Sequence, residues 1–200
     1  MKILVYVLIV LAFTGWQVFA QKLPKIEPCK LTIEQLPKVR GLHLGMPFSE
    51  IKTKFTNLVT EAPNEMGVRI ALLGDIKLSE FSEVRGIKFV FIDEELQELH
   101  IEYKSGADFR SIEEYTSKLS ESLPIPKSAW VFAVDEDGGY AGAKCYGFDA
   151  IAGLFNKDAI RIATLKFENV NKMQTVLLRQ YEKEKQDLKK KPGGTNNFKP

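Results

Sequence analysis

Glu98, His100 and Glu102 alternate in the stretch Glu98-Leu99-His100-Ile101-Glu102. A strand turns alternate side chains to one face, so this spacing presents two carboxylates and an imidazole together. Those are zinc-ligand types, and catalytic zinc sites commonly use three protein ligands. The reach is wrong for a shared ion. The outer two lie roughly 13 Å apart on a strand rising about 3.3 Å per residue, whereas zinc bonds are near 2 Å. The expectation is therefore the solvated face of an amphipathic strand. Asp135-Glu136-Asp137-Gly138-Gly139 opens like a calcium loop, but Tyr140 stands where the sixth-position Gly belongs and Tyr146 where the bidentate Glu belongs. A hairpin turn is the better reading. Cys145 as a nucleophile would need His43 or His100 as its base, and its surroundings match no cysteine-hydrolase pattern. The sequence has no Gly-x-Ser-x-Gly, no His-Glu-x-x-His and no phosphate-cradling glycine loop. No catalytic, cofactor-binding or metal-ligating residue is assigned.

What chemistry remains belongs to the cysteines. Cys29 and Cys145 are the only two in the chain. Two cysteines in an oxidising compartment predict one disulfide between them. The alternative is a pair of free thiols, with Cys145 acting as a small hydrophobe in a strand. The compartment is read from the start of the chain. Lys2 precedes an apolar run from Ile3 to Phe13, followed by Gly15 and then Val18-Phe19-Ala20. A positive start, an apolar centre and small residues before a cut make a secretory signal over 1–20, cleaved after Ala20. The run is short for a bilayer span of roughly 20 residues. No later segment is apolar enough to cross a membrane, so the mature product is expected to be periplasmic or secreted.

The formal charge is +2, close to neutral. Nucleic acid is excluded as a partner, because phosphate binding needs a concentrated basic face. Lys183, Lys185 and Lys189–Lys191 make one end of the chain locally basic, diluted by Glu182, Glu184 and Asp187. Contact with anionic lipid or a cell-wall polymer is one reading, and solubilisation of a helix end is the other.

The elements follow from periodicity. Residues 21–40 are rich in Pro and Lys and read as an extended lead-in, with a short strand near Leu31–Ile33. Pro47 suits a first helical position, and Phe48, Ile51, Phe55 and Leu58 then recur at helical spacing. Strands follow from Val68, where Val68, Ile70 and Leu72 alternate. Ile87, Phe89 and Phe91 alternate in a strand buried on both faces. Across Asp93-Glu94-Glu95 lies its hairpin partner, half exposed, in which Leu99, Ile101 and Tyr103 alternate. A second helix is predicted over Asp108–Leu123, capped by Asp108 or by Ser111-x-x-Glu114. Strands resume at Trp130–Val134, Tyr140–Ala150 and Ala159–Phe167. A last helix runs over Asn169–Lys190, with Met173, Val176, Leu177 and Tyr181 on one face. Residues 191–200 are polar and broken by Pro-Gly-Gly, a composition that predicts disorder. The fold class is α+β in a single domain over 41–190: an antiparallel meander with helices on one face, as two helix-plus-three-strand halves, and a C-terminal helix.

The stretch Gly41-Leu42-His43-Leu44-Gly45-Met46-Pro47-Phe48-Ser49-Glu50-Ile51 resembles the opening of the outer-membrane assembly lipoproteins (SmpA/OmlA) and the β-lactamase-inhibitor-protein-like group. It also resembles exported bacterial proteins of uncharacterised role that share this Gly-Met-helix start. The chain differs from the lipoproteins in lacking a lipidation cysteine, and from the inhibitors in lacking recognisable sequence repeats. The resemblance implies a small α+β module that binds or assembles and does not catalyse. It carries over no functional residue. The expected function is an exported, non-enzymatic binding or envelope-assembly module without a cofactor, its partner another envelope protein or a cell-wall polymer. An exported hydrolase with an unconventional site is the alternative. The secreted protein should begin at Gln21 on N-terminal sequencing, and a product that still begins at Met1 would contradict export by a cleaved signal.

Overall fold

The computed structural model describes residues 28–36, 38–104, 108–135, 138–157 and 160–190. The expected signal segment 1–20 and the tail 191–200 lie outside them. Three helices are described: α1 (Phe48–Lys54), α2 (Ile112–Ser122) and α3 (Val170–Lys190). Eight strands are described: β1 (Val59–Thr60), β2 (Val68–Gly74), β3 (Val84–Ile92), β4 (Glu95–Tyr103), β5 (Val131–Asp135), β6 (Gly138–Lys144), β7 (Phe148–Lys157) and β8 (Ile160–Asn169). The fold is mixed α+β. Among the described residues no helix is long and apolar enough to cross a membrane.

All strands lie in one antiparallel sheet, ordered β1-β2-β3-β4-β8-β7-β6-β5. This is two meanders and not one. β1 to β4 form the first, β5 to β8 the second, and the last strand of each pairs with the other. Each half opens with a helix, but four strands follow it rather than three: the two-residue β1 joins the first half, and the expected strand Tyr140–Ala150 is two strands, β6 and β7. They are separated by the turn Cys145–Gly147. Gly147 has φ +85°, a left-handed conformation that favours glycine, and the turn closes as the Cys145 N–H donates to the Phe148 carbonyl at 2.9 Å.

The core lies on one side of the sheet. Phe48 of α1 meets Phe91 edge-on at 5.1 Å between centroids, and the Phe55 ring sits between Phe81 and Phe89 at 5.4 and 6.0 Å. Leu99 and Ile101 are buried in the same cluster. In the second half α2 contributes Ile112 and Tyr115, facing a floor of small residues: Ala141 pairs with Ala152 and Ala143 with Ala150. Small side chains let the helix approach closely, and the Tyr115 hydroxyl donates to the Thr164 carbonyl at 3.2 Å. The Ser111 hydroxyl accepts from the Glu114 N–H, capping α2 as its spacing predicts.

The Gly41–Ile51 opening docks on the first hairpin. Gly45, at φ +83°, donates its N–H to the Leu96 carbonyl at 2.7 Å, and the Phe48 N–H reaches the Glu94 carbonyl at 2.8 Å. Upstream, Leu31–Ile33 is not a strand. Ile33–Gln35 forms a 3-10 turn in which the Gln35 side chain accepts from the Thr32 N–H. The lead-in is also less separate than its composition suggests, since Cys29 and Leu36 are buried in the common core. Cys29 is bonded to Cys145, with Cα atoms 4.6 Å apart, and the Tyr146 N–H donates to the Leu31 carbonyl beside it.

Two apolar faces differ from expectation. In β2 the buried residues are Ala71 and Leu73, while Ile70 and Leu72 are exposed. On α3, Met173 and Val176 are half-buried, but Leu177 and Tyr181 are exposed. The reason is the way α3 is moored. Arg179 forms a two-pronged pair with Asp93 in the β3–β4 turn at 2.7 and 2.8 Å, and Lys183 pairs with Glu65. Val90 and Ile92, which point away from the main core, are buried at that end of the sheet.

Phe55→Ala should cost about 3–5 kcal/mol in a denaturant melt, as buried Phe truncations do. A loss below about 1 kcal/mol would be inconsistent with a ring held between Phe81 and Phe89. The unfolded, non-reduced protein should show no titratable thiol. Reduction should lower stability by up to about 4.7 kcal/mol, the chain-entropy figure for a loop of about a hundred residues.

Candidate functional site

The sheet face opposite α1 and α2 carries ordered chemistry. Residues directly opposite on neighbouring antiparallel strands share a face, with Cβ atoms about 5 Å apart, so the strand registers can be read as rows across the sheet. One row runs Val90, Glu98, Glu168, Asp149, Lys144 from β3 to β6. The next runs Leu72, Lys88, His100, Lys166, Ile151, Gly142, Val131 from β2 to β5. A third runs Gly74, Gly86, Glu102, Thr164, Gly153, Tyr140, Ala133. The first row centres on carboxylates and the second on basic side chains, while the third holds three glycines with Glu102 and Tyr140 among them.

Three adjacent carboxylates in the first row would repel one another. The basic row offsets this: Lys88 Nζ on β3 meets Glu98 across the strands at 3.0 Å, and Lys166 Nζ meets Glu168 two residues along β8 at 2.7 Å. Arg85 pairs with Glu102 at 3.0 Å. Glu98 is buried, contrary to the expected solvated face, between Val90 and Glu168 in its row. Burial holds the Asp149 carboxyl above its ordinary range, with Glu168 adding to the rise and Lys144 and Lys166 opposing it. Burial likewise depresses His100. Glu98 opposes that shift, while Lys88 and Lys166 on either side reinforce it.

The glycines shape the surface. A Cβ on Gly142 or Gly74 would meet nothing within 4 Å, so each marks a low point. A recess of about 580 Å³ lies over Gly142, with Val131, Ala133, Tyr140 and Ile151 among its walls and Lys144 and Asp149 at one end. A smaller one of about 270 Å³ lies by Gly74 and Gly86, bounded by Lys88, His100 and Glu102. On the other side of the sheet, a recess of about 540 Å³ between α2 and β4 holds Tyr103 and Tyr115, both with hydroxyl pKa pushed up by burial.

Glu98, His100 and Glu102 therefore do share one face, as their spacing predicts, but Glu98 pairs with Lys88 and Glu102 with Arg85 rather than with one another. Among the described residues no three His, Cys, Asp or Glu side chains stand close enough to hold a metal ion. Cys145 is in the disulfide and is no nucleophile. His43 lies apart, its Nδ1 2.9 Å from the Leu44 carbonyl. Gly138 and Gly139 start β6 opposite Asp135 and Val134, while Glu136 and Asp137 fall outside the described residues. Sequence reasoning missed Lys88, Asp149, Lys166 and Glu168. The alternation Leu165-Lys166-Phe167-Glu168 signals an outward face, but nothing local shows that it lies beside Glu98 and His100.

No family model matches the chain, and no curated protein matches it. Among solved structures, a cysteine-rich secretory protein from Staphylococcus aureus superposes with a TM-score of 0.40 at 8% identity, over 74% of this chain and 49% of that one. The chain spans about half the length of that protein, and a likeness this distant assigns neither fold nor function.

The pKa directions give opposite pH signatures. His100 protonates less readily folded than unfolded, so stability is complete above its ordinary value of 6.5 and declines as pH falls below it. His100→Gln should flatten that decline in denaturant midpoints measured from roughly pH 8 to pH 5. Asp149 holds its proton more readily folded than unfolded, so its ionisation opposes folding once pH exceeds the ordinary carboxylate range. Asp149→Asn should raise the midpoint at neutral pH, and the gain should vanish in acid.

Proposed function

We propose that this chain is an exported, non-enzymatic binding module that holds a protein partner of the cell envelope against the open face of its sheet. The observation that carries this reading is the set of three cross-strand rows. Glu98, Glu168 and Glu102 are held in ion pairs with Lys88, Lys166 and Arg85, so a complementary surface meets a preset pattern of charge and trough. Such a pattern favours selective docking: His100 stands between Lys88 and Lys166 in a row of fixed charge.

Export is supported by the charge and hydropathy order of residues 1–20 and by the Cys29–Cys145 bond, which suits an oxidising compartment. The same two features support a periplasmic or secreted location. The resemblance of Gly41–Ile51 to envelope-assembly and inhibitor modules agrees with a binding role.

The test is capture from envelope extract with the mature protein as bait. A specific protein should be retained by the wild type, released by raised salt and lost with Lys88→Glu/Lys166→Glu. Retention of the same protein by that variant would remove the open face from the interaction. Capture of cell-wall polymer alone would overturn the protein-partner reading.

A further inference from the structure

The two ends of the sheet are finished differently. β1 has two residues, so one edge offers little main chain to pair with. β5 at the other edge has five residues, Val131-Phe132-Ala133-Val134-Asp135, and among the described residues pairs only with β6. Half of its N–H and C=O groups point away from β6. Natural edge strands are usually blunted by a lysine, a proline, a bulge or extreme shortness. β5 has no lysine or proline, its register with β6 is unbroken, and Val131 to Val134 carry no charge. Val131, Phe132 and Val134 are 55%, 41% and 70% exposed, and Tyr140 beside them is 45% exposed. An apolar patch continuous with unpaired main chain marks a strand-pairing surface.

We infer that β5 pairs antiparallel with β5 of a second copy of this chain about a two-fold axis at Ala133. The strand suits its own copy. In that register Phe132 of one copy lies opposite Val134 of the other, twice, on the face that carries α1 and α2, and Ala133 meets Ala133. No like charges oppose one another from Val131 to Val134. The pairing is also closed: it consumes both β5 edges and leaves only the short β1 edges outside, so it stops at two copies, whereas β5 against β1 would propagate. The open faces of the two copies then form one surface, with the Gly142 recesses on either side of the axis. One five-residue strand and its flanking side chains make a small interface, so the dimer belongs to the weak, reversible class below about 1,200 Å².

The test is sedimentation equilibrium of the mature protein with its disulfide intact, from roughly 1 µM to roughly 1 mM, a range that brackets weak interfaces of this size. The apparent mass should rise toward twofold in the wild type and stay monomeric in Val134→Lys, whose side chain is exposed and should leave the thermal melt unchanged. A second measurement needs no tight affinity. Ala133→Cys should give a covalent dimer on mild oxidation, because cross-strand Cα atoms lie about 4.5–5.5 Å apart, within disulfide reach. Val131→Cys, two residues from the axis, should not. A monomer throughout the concentration range, a dimer that survives Val134→Lys, or equal cross-linking at positions 131 and 133 would each overturn the inference. Loss of this dimer would leave the open-face reading intact, since that rests on capture of a different protein.

Discussion

The pairing of β4 with β8, from Glu98 opposite Glu168 to Glu102 opposite Thr164, is the contact on which the rest of the structure depends. Each meander alone would expose a long apolar edge and half a core. Joined, they place Leu99 beside Phe167 and Ile101 beside Leu165, so the clusters under α1 and α2 become one. The same register sets the other face. It puts Glu98 next to Glu168 and His100 next to Lys166, and so makes rows out of residues that belong to separate halves of the chain. Core and candidate surface are two sides of one set of strand pairs.

That coupling explains why the open face tolerates an unfavourable arrangement. Three neighbouring carboxylates raise the free energy of the folded state, and the Asp149 carboxyl stays above its usual range as a result of burial and of Glu168. Lys88 and Lys166 oppose the repulsion without removing its source, which is a register held by the apolar side chains behind it. A slip of one residue would exchange the two faces, burying charge and exposing Phe and Leu, so the core enforces the charge pattern. A surface that the core holds in this geometry is well suited to recognition, because little ordering remains to be done when a partner arrives.

The disulfide and α3 act at the margins. The Cys29–Cys145 bond ties the lead-in to the β6–β7 turn, where the Tyr146 N–H also reaches back to Leu31. At the same end of the sheet, α3 follows directly from β8, its Val170 N–H donating to the Gly147 carbonyl at 3.1 Å, and grips the β3–β4 turn through Arg179 and Asp93. That turn holds Asp93 and Glu94 at φ 52° and 66°, uncommon for residues other than glycine, and the Arg179 and Arg69 pairs keep it in place. Both devices connect the first half of the chain to the second outside the central strand pair.

Local chemistry was legible in the sequence. The helical spacing of Phe48, Ile51 and Phe55, the Ser111 cap, the alternation around Phe89 and Leu99, and the pairing of the only two cysteines follow from short-range rules of periodicity, capping and counting. The sequence also placed Glu98, His100 and Glu102 on one face, because a strand has period two whatever surrounds it. It misjudged that face as solvated and β4 as half exposed, read one meander for two, and grouped Leu177 and Tyr181 with Met173. Those errors share a cause: each depended on what lies beside an element, and β4 meets β8 across some seventy residues of chain. Hydrophobic pattern decides which side of a strand is apolar. Which strand becomes its neighbour, and hence whether a glutamate is solvated or enclosed among lysines, is decided by long-range pairing and packing that no local spacing encodes.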